Sequence, residues 1–425
     1  MKKAVVAAVI CLFALSVSYS LSLRNADEVH PFDSIPMLET YYDESDDGNA
    51  SFWEGCEVSL LTISDGKPLY SWFGHSAILV TTPDGRSYTF DYGTFSFNDE
   101  DFLVNFAFGR LWFLCVCANA RYQLQEIEEE GRTVTKVVLP LTTDQKKAVI
   151  EFLNTNSRSE NRVYLYHHYE DNCATRLRDI IDRTTGGAFQ SWAKSVSGYT
   201  FRQQASRALS RSPIVLWALD FLQSGRIDRA ATLWDEMFLP EVLEKGVVEY
   251  FGLEKETVTG NPDHRSGTAE TPRSNILFSI IMGIVLGGAA SVLIILGKRK
   301  VNYIYSGVVD IVFGILGSVL LFMMLFTNHD VTWMNENIIF VNPLLIAMAV
   351  FSFLAAGRSK NAQEWGKLAA LCHMLFVALI VLLAVLKAIA PKVFLQQNWN
   401  IIIPILLFYL PNAFSFRLDR TNKDK

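Results

Sequence analysis

The chain is organised around one stretch, Asp171-Asn172-Cys173-Ala174-Thr175-Arg176-Leu177-Arg178-Asp179. Upstream, residues 162–169 are rich in Val, Tyr and His, which is typical of a strand. Downstream, apolar residues recur at helical spacing from Leu177, and Gly186-Gly187 can end that helix. Either of the first two residues of the stretch can cap it. Cys173 is therefore predicted in the first turn of a helix, where the dipole favours a thiolate nucleophile.

A nucleophilic cysteine needs a base, and the best candidate lies about 100 residues earlier, in Trp72-Phe73-Gly74-His75-Ser76-Ala77. Gly74 allows the backbone to approach closely beside the imidazole. Ser76 to Thr82 is predicted to continue as a strand. The base therefore precedes the nucleophile in the chain, which is the reverse of the order in papain.

Three separated motifs carry a resemblance to a known family: Phe73-Gly74-His75-Ser76-Ala77, Asp91-Tyr92-Gly93-Thr94-Phe95 and the Asp171–Asp179 stretch. They resemble the periplasmic domain of the Bacteroidetes lipoprotein N-acyltransferase (Lnb) family over roughly residues 52–240. The membrane half described below agrees with this. The Lnb domain is similar to circularly permuted papain-like folds, and the lecithin:retinol acyltransferase group, also His-then-Cys, is a relative in the same sense.

The resemblance also implies a third catalytic group, which orients the imidazole. Permuted papain-like folds place it on the strand after the histidine, and Asp91 is the carboxylate there. Asp84 is nearer in sequence but lies in the predicted turn. The alternative role of Asp91 is to cap the Tyr92-Gly93-Thr94 turn. We therefore predict Cys173, His75 and Asp91 as the catalytic residues.

Other polar residues are weaker candidates. Asn172 can donate to an oxyanion or only cap the helix, and we favour the cap. Arg176 can bind a phosphate or carboxylate, or pair with Asp179 or Asp182. His167 and His168 would face opposite sides of a strand, so we expect structural roles for both.

The composition excludes several classes of protein. The chain has 425 residues, 50% of them hydrophobic, and a net charge of −6, so no basic surface suggests nucleic acid. Its six cysteines show no metal-ligand spacing, because Cys115-Val116-Cys117 is too tight for a zinc pair and has no second pair. We expect that pair in the core, and we expect neither a metal nor a cofactor. A disulfide from Cys56 is left open.

Residues 1–20 have the pattern of a signal peptide, with Lys2 and Lys3 before an apolar run and small residues near Ser20. The alternative is an uncleaved anchor. Residues 21–51 are acidic and predict a mobile linker. Strands before and after helices predict an α+β fold for residues 52–250, closed by a helical region over 198–245. A polar linker is expected over 251–275.

Five apolar stretches follow and predict an all-α bundle of five transmembrane helices within 276–416, with a cytoplasmic tail at 417–425. The fifth stretch is short and holds Pro404 and Pro411, so it is the weakest. Basic residues concentrate in alternate loops, around Lys298-Arg299-Lys300 and between the third and fourth stretches, and again after the fifth. With those loops cytoplasmic, the papain-like domain is periplasmic and anchored in the bacterial inner membrane. The predicted stretches are about 276–297, 304–326, 338–356, 368–390 and 400–416.

The loops on the predicted periplasmic side are polar. His329, Asn335 and Asn337 lie there, and similar positions occur in the family that the chain resembles. They can bind a lipid head group or the acceptor. The alternative is an interfacial loop with Trp333 as its anchor.

The resemblance implies a reaction. Cys173 would take an acyl chain from a glycerophospholipid, and the thioester would pass it to the α-amino group of the diacylglyceryl-modified N-terminal cysteine of a lipoprotein. One alternative is an NlpC-type cysteine peptidase or amidase acting on peptidoglycan peptides, although such an enzyme needs one anchor and not five spans. A second alternative is a non-catalytic membrane sensor, but the presence of the Cys–His pair argues against it.

Overall fold

The computed structural model describes residues 50–95, 101–260, 267–358 and 360–415. The predicted signal peptide, all but the end of the acidic linker, and the tail lie outside these residues. The chain forms two compact units. The sheet unit comprises the described residues up to Arg211 together with Ala230–Pro272, and the helical unit comprises Ser212–Arg229 and the described residues from Arg273.

An antiparallel sheet is the frame of the sheet unit. In the described part of the chain it has seven strands in the order β6-β4-β3-β2-β1-β5-β7. The central strands are the most buried, because helices and loops cover both faces of β1. The strands are β1 Glu57–Ile63, β2 His75–Thr81, β3 Ser87–Thr94, β4 Trp112–Asn119, β5 Val134–Val138, β6 Val163–Leu165 and β7 Glu256–Thr259.

Helices surround the sheet and make up the second unit. Those of the sheet unit are amphipathic or short, and those that follow Arg273 are apolar over most of their length. In chain order the α-helices are α1 Ala50–Gly55, α2 Phe102–Phe108, α3 Ala120–Glu129, α4 Thr143–Ser157, α5 Cys173–Thr184, α6 Ala188–Ser195, α7 Phe201–Ala208, α8 Pro213–Leu222, α9 Leu233–Glu236, α10 Pro240–Phe251, α11 Ile276–Ile295, α12 Arg299–Phe326, α13 Leu344–Ala356, α14 Ala362–Ile389 and α15 Trp399–Phe414.

The turn predicted at Asp84 is present and joins two strands in a β-hairpin. β2 and β3 pair antiparallel from Ala77 opposite Asp91 to Thr81 opposite Ser87. Gly85 closes the turn with a φ of 85°, a conformation that a side chain would strain. The register places the carboxylate of Asp91 near the start of β2, and so near His75.

Two segments differ from the sequence prediction. The strand predicted over 162–169 is only Val163–Leu165, because the chain then turns tightly and His167 pairs with Asp171 through reciprocal backbone hydrogen bonds. The polar segment expected as a linker over 251–275 contributes an edge strand, β7, which pairs with β5. Main-chain pairing explains that strand, since it needs no apolar side chains at an edge.

The helical region expected over 198–245 is divided between the two units. α8 belongs to the helical unit, where the indole of Trp217 donates to the carbonyl of Asn400 and Phe221 joins the apolar core. Its sequence is apolar over most of its length, with Asp220 as its one charged residue. Nothing in that local pattern indicates which apolar surface covers it.

Helices occupy all five predicted membrane stretches, and four of the described segments are long and apolar enough to cross a bilayer. They are Ile276–Ile295, Arg299–Phe326, Glu336–Ala356 and Ala362–Ile389. The fifth, α15, has 16 residues and contains Pro404 and Pro411. At 1.5 Å per residue it is about 24 Å long, against about 30 Å for the hydrocarbon core of a bilayer.

Small residues let the apolar helices approach closely. A Cβ on Gly287 of α11 would lie 2.0 Å from the carbonyl oxygen of Leu407 in α15, so the backbones touch there. The buried core of the helical unit also contains an ionisable pair that the sequence analysis did not identify. Nε2 of His373 lies 3.4 Å from Oδ1 of Asp310, and both side chains are buried.

Candidate active site

Cys173 is the first residue of α5. Asn172 caps the helix through a capping box: its Oδ1 accepts from the amide of Thr175 at 2.9 Å, while Oγ1 of Thr175 accepts from the amide of Asn172 at 2.7 Å. α5 packs against β2, which places its first turn beside the start of that strand. The prediction of a cysteine in the first turn of a helix is confirmed, and Gly186 and Gly187, both with positive φ, follow the end of the helix.

His75 is the first residue of β2, opposite Ile63 on β1. Gly74 has a φ of 74°, and a Cβ there would lie 3.0 Å from the carbonyl oxygen of Ile63. The glycine therefore lets the chain enter the strand at a sharp angle. The imidazole faces two groups: Nε2 lies 2.9 Å from Oδ1 of Asp91, and the thiol of Cys173 lies close enough to raise the pKa of the ring.

Asp91 lies on β3, where its carboxylate is buried and fully occupied. Oδ1 accepts from the backbone amide of Gly93 as well as facing His75, and Oδ2 accepts from Nε2 of Gln123 at 2.8 Å. The carboxylate thus does two things that the sequence analysis treated as alternatives. It holds the imidazole, and it ties down the turn after Asp91.

The electrostatics of the pair favour its charged form. Burial lowers the pKa of His75, but Asp91 and Cys173 raise it, and the net pKa lies well above the ordinary value of 6.5. Burial raises the pKa of Asp91, but the combined effect of His75, the amide of Gly93 and Gln123 is larger, so the net pKa lies below the ordinary value of 3.8. The imidazole is therefore held as an imidazolium beside the sulfur, which is the state that stabilises a thiolate.

The space for the imidazole depends on Gly93. A Cβ at this position would lie 2.3 Å from Cε1 of His75 and 3.0 Å from Nδ1. The backbone of Gly93 is not in the left-handed region, so the requirement is for space and not for conformation. Nε2 faces Asp91, and the Cε1–Nδ1 edge of the ring points toward this glycine.

Aromatic side chains adjoin the sulfur. The rings of Tyr166 and Phe113 stack with centroids 4.2 Å apart. Burial and then the charge of Cys173 raise the pKa of Tyr166, so its hydroxyl stays protonated close to the nucleophile. The hydroxyl of Tyr164 donates to the backbone carbonyl of Tyr92. The surroundings of Cys173 are thus apolar, with hydrogen-bond donors at their edge.

The two weaker candidates beside the nucleophile are engaged within the protein. The side chain of Asn172 is buried, and besides capping α5 its amide donates to the carbonyls of His168 and Phe238. Arg176 forms a bidentate pair with Asp171, at 2.6 and 2.8 Å, and lies over the ring of Tyr164. Among the described contacts, Arg176 pairs with neither Asp179 nor Asp182. Asp179 is bound by Arg178 instead.

Residues of the predicted periplasmic loops belong to the helical unit, and the two asparagines contact α8 of that unit. The side-chain amides of Asn335 and Asn337 are buried and donate to the backbone carbonyl of Phe221, at 3.0 and 2.9 Å. These two amides therefore hold α8 in place. His329 is half-buried at the start of a short 3-10 turn.

The remaining candidates have structural surroundings. Nδ1 of His167 accepts from the amides of Tyr169 and Glu170 and closes the tight turn. His168 packs against Phe73, and burial lowers its pKa to about 4, so it is neutral at pH 7. Burial raises the pKa of Cys115 and of Cys117 to about 12. All five cysteines that the structure describes are free.

The arrangement can carry out covalent acyl chemistry. A thiolate at Cys173 can attack a carbonyl carbon, the imidazolium of His75 can protonate a leaving group, and Asp91 keeps the ring oriented. The first amides of α5 have no acceptor within the helix and can donate to an oxyanion. Sequence analysis did not identify three residues of this site: Gln123, Gly93 and Tyr166. Gly93 lies in a quoted motif and Tyr166 in the strand predicted before Cys173, whereas Gln123 lies in neither.

The chain matches two family models. The Lnb N-terminal periplasmic domain matches residues 52–207, and the Lnb transmembrane domain matches residues 271–408. The two matched segments together make up more than half of the chain. No curated protein and no solved structure matches it.

Proposed function

The chain belongs to the Lnb family, with a periplasmic N-terminal domain on a multi-pass membrane domain, and from that membership we propose that it is a lipoprotein N-acyltransferase. It moves a fatty acyl chain from a glycerophospholipid, through a thioester on Cys173, to the α-amino group of a diacylglyceryl-modified lipoprotein. One observation carries the proposal. Asp91 holds the imidazole of His75 at 2.9 Å, and Cys173 lies close enough to raise the pKa of that imidazole, in a chain with four helices long and apolar enough to cross a membrane.

The reaction has two half-steps. In the first, the thiolate of Cys173 attacks the carbonyl carbon of a glycerol ester, a C–S bond forms, and the C–O bond breaks. The lysophospholipid alkoxide leaves with the proton of His75. In the second, the neutral amine of the lipoprotein attacks the thioester carbon, an amide C–N bond forms, and the C–S bond breaks. His75 takes the proton from the amine nitrogen, which restores the thiolate–imidazolium pair.

The membrane unit fits this chemistry. A phospholipid donor keeps its acyl chains in the bilayer, so an enzyme that remains at the surface meets both donor and acceptor at high effective concentration. We place α15 in the membrane with the other four helices, because Ile405, Phe408 and Tyr409 are buried in the same apolar core. The basic loops then face the cytoplasm of an inner membrane, and the sheet unit is a permuted papain-like domain in the periplasm.

The proposal assigns no lipid contact to Asn172, Arg176, Asn335 or Asn337. Each of these side chains is engaged with the backbone or with a carboxylate of the protein. Releasing Asn172, Asn335 or Asn337 for a ligand would leave a buried polar group without its partner, which costs about 1–3 kcal/mol. Arg176 is only partly buried, and a ligand would have to replace its bidentate pair with Asp171.

Intact-mass analysis of the full-length protein in phospholipid nanodiscs tests the first half-step. Without acceptor, we expect wild type to gain the mass of one acyl group, removable by hydroxylamine. Cys173→Ala should gain nothing. Cys372→Ala is the matched control, because it removes a half-buried cysteine of the helical unit, and it should acylate like wild type.

A synthetic diacylglyceryl-cysteine peptide tests the second half-step. On its addition the enzyme adduct should disappear while the peptide gains one acyl mass. Absence of any adduct on wild type contradicts the proposal. Incubation of the same preparations with muropeptides then decides whether Cys173 serves a peptidase or amidase.

A further inference from the structure

The helix α2 has an unusual surface for a periplasmic domain. Its sequence is Phe102-Leu103-Val104-Asn105-Phe106-Ala107-Phe108, which contains no charged residue. None of these seven residues is buried. Leu103 is 76% exposed, and Val104 and Phe106 are each 52% exposed. Neighbouring apolar residues with this exposure are costly in water and mark a surface that meets another apolar phase.

A second segment of the same unit adds to this surface. Leu69 and Tyr70 lie on the short 3-10 turn that leads into β2, and they are 51% and 62% exposed. The ring of Tyr70 contacts that of Phe95 at a centroid distance of 6.1 Å, and Phe95 in turn stacks on Phe102 at 6.0 Å. The turn and the helix therefore form one continuous apolar surface. We call Leu69, Tyr70 and α2 the apolar lip.

A series of rings connects the apolar lip with the nucleophile. From Phe95 the next ring is Phe113, at 4.9 Å, and Phe113 stacks on Tyr166 at 4.2 Å. Tyr166 is close enough to Cys173 for the charge of the sulfur to affect its hydroxyl. The ring contacts thus lead from the exposed apolar lip to Tyr166 near Cys173, and none of these rings is charged.

A basic residue, Arg110, follows the end of α2. Gly109 ends α2 in a left-handed conformation, and the guanidinium carbon of Arg110 lies 6.0 Å from the centre of the Phe108 ring. Asp101 borders the other end of the helix, so the apolar segment lies between two charged residues. Such a segment can lie in the interface of a bilayer, with its charged borders at the level of the lipid head groups. A bilayer is also the apolar phase that this chain always has within reach, because its own helices cross one.

We propose that the apolar lip inserts into the interface of a phospholipid bilayer and that Arg110 meets the lipid phosphate there. The donor acyl ester then reaches Cys173 along the rings of Phe95, Phe113 and Tyr166. The insertion needs only the exposed surface and the membrane. The acyl path rests on the proposed function.

Photolabelling tests the insertion. Full-length Cys173→Ala protein is placed in nanodiscs of phosphatidylethanolamine and phosphatidylglycerol that contain a phospholipid with a diazirine in one acyl chain. After illumination, we expect lipid adducts on the tryptic peptide 87–110, which contains α2. The peptide 137–146 serves as the control, because its Val138 is 40% exposed on β5 but lies toward the other edge of the sheet. Adducts confined to residues 273–415 overturn the proposal, as do cross-links that join α2 to a second copy.

Paired rates test the acyl path. The double variant Leu103→Glu/Phe106→Glu is compared with Val138→Glu, which introduces one carboxylate at an exposed apolar position of the same unit. Acylation of Cys173 is measured with bilayer phospholipid and with soluble p-nitrophenyl butyrate. We expect the ratio of the first rate to the second to fall at least about tenfold in the double variant, since charged groups are disfavoured in the interface, and to stay at the wild-type value in Val138→Glu.

The outcomes separate the two proposals. A ratio that stays at the wild-type value in the double variant overturns the acyl path, whether or not both rates fall. If peptide 87–110 is labelled in Cys173→Ala but lipid never acylates the wild-type protein, the insertion is retained and the acyltransferase proposal is rejected. If lipid acylates the wild-type protein but peptide 87–110 is not labelled, the acyltransferase proposal is retained and the insertion is rejected.

Discussion

The imidazole of His75 occupies the space in which residue 93 would carry a side chain. A Cβ on Gly93 would lie 2.3 Å from Cε1 of His75. Real atoms do not approach so closely, and the nearby carboxylate of Asp91 prevents the ring from moving aside without losing its hydrogen bond. The position of the base is thus determined from two sides.

We expect Gly93→Ala to displace the imidazole and slow acylation of Cys173 about 100-fold, because a misplacement of about 1 Å has that effect on well-oriented reactions. Single-turnover acylation measures it. Gly288→Ala is the matched control, since a Cβ at Gly288 meets no atom within 4 Å. Gly93→Ala at the wild-type rate would show that the ring needs no such space.

Asp91→Asn tests the orienting carboxylate. It keeps the shape but removes the charge that raises the pKa of His75, so the imidazolium should lose its proton at lower pH than in wild type. We expect acylation at pH 7 to fall by about 100- to 10,000-fold. The pH profile of Cys173 alkylation by iodoacetamide should shift with it. Asp84→Asn changes a carboxylate in the hairpin turn and should leave both measurements as in wild type.

Gln123 acts through Asp91 and is a positioning residue. Gln123→Leu removes the donor to Oδ2 of Asp91, which should cost about 1 kcal/mol and so slow acylation roughly fivefold. Since the hydrogen bond also lowers the pKa of Asp91, the pH profile should shift slightly. Gln125→Leu on the same helix is the control, because Gln125 binds only Glu129 at the surface. Equal rates in the two variants would reject the positioning role.

The dependence of stability on pH follows from the two shifted pKa values. The pKa of Asp91 is lowered in the folded state, so its contribution is complete above 3.8 and is lost as pH falls through the folded pKa. The pKa of His75 is raised, so its contribution is complete below 6.5 and is lost as pH rises through the folded pKa. The difference in melting temperature between wild type and Asp91→Asn/His75→Gln should therefore be largest between pH 4 and 6.5. A difference that grows steadily above pH 8 would contradict this.

The buried pair of the helical unit provides a test of packing. Asp310→Leu should destabilise the protein by about 3 kcal/mol, because it leaves the imidazole of His373 buried without its partner. Asp310→Leu/His373→Leu should recover part of that loss, since two apolar side chains need no partner. Thermal unfolding in detergent measures both. A double variant less stable than either single one would show that the two residues act independently.

Local patterns were sufficient for several elements. The turn at Asp84 and the helix with Cys173 in its first turn are both present as predicted. Each depends on residues within a few positions of one another, so the chain encodes it locally. The strand predicted over 162–169 was too long because composition cannot reveal a backbone turn such as that from His167 to Asp171.

The sequence by itself determined a cysteine at a helix start, a histidine before a strand, and the apolar helices, because spacing and hydropathy act over short stretches of chain. Only the tertiary structure decided that Gln123 supports Asp91, that Gly93 makes room for His75, and that α8 packs with the apolar helices. Those contacts join residues that are distant in the chain or depend on a fit of a few tenths of an ångström. Close packing sets such distances, and no periodicity in the sequence records them.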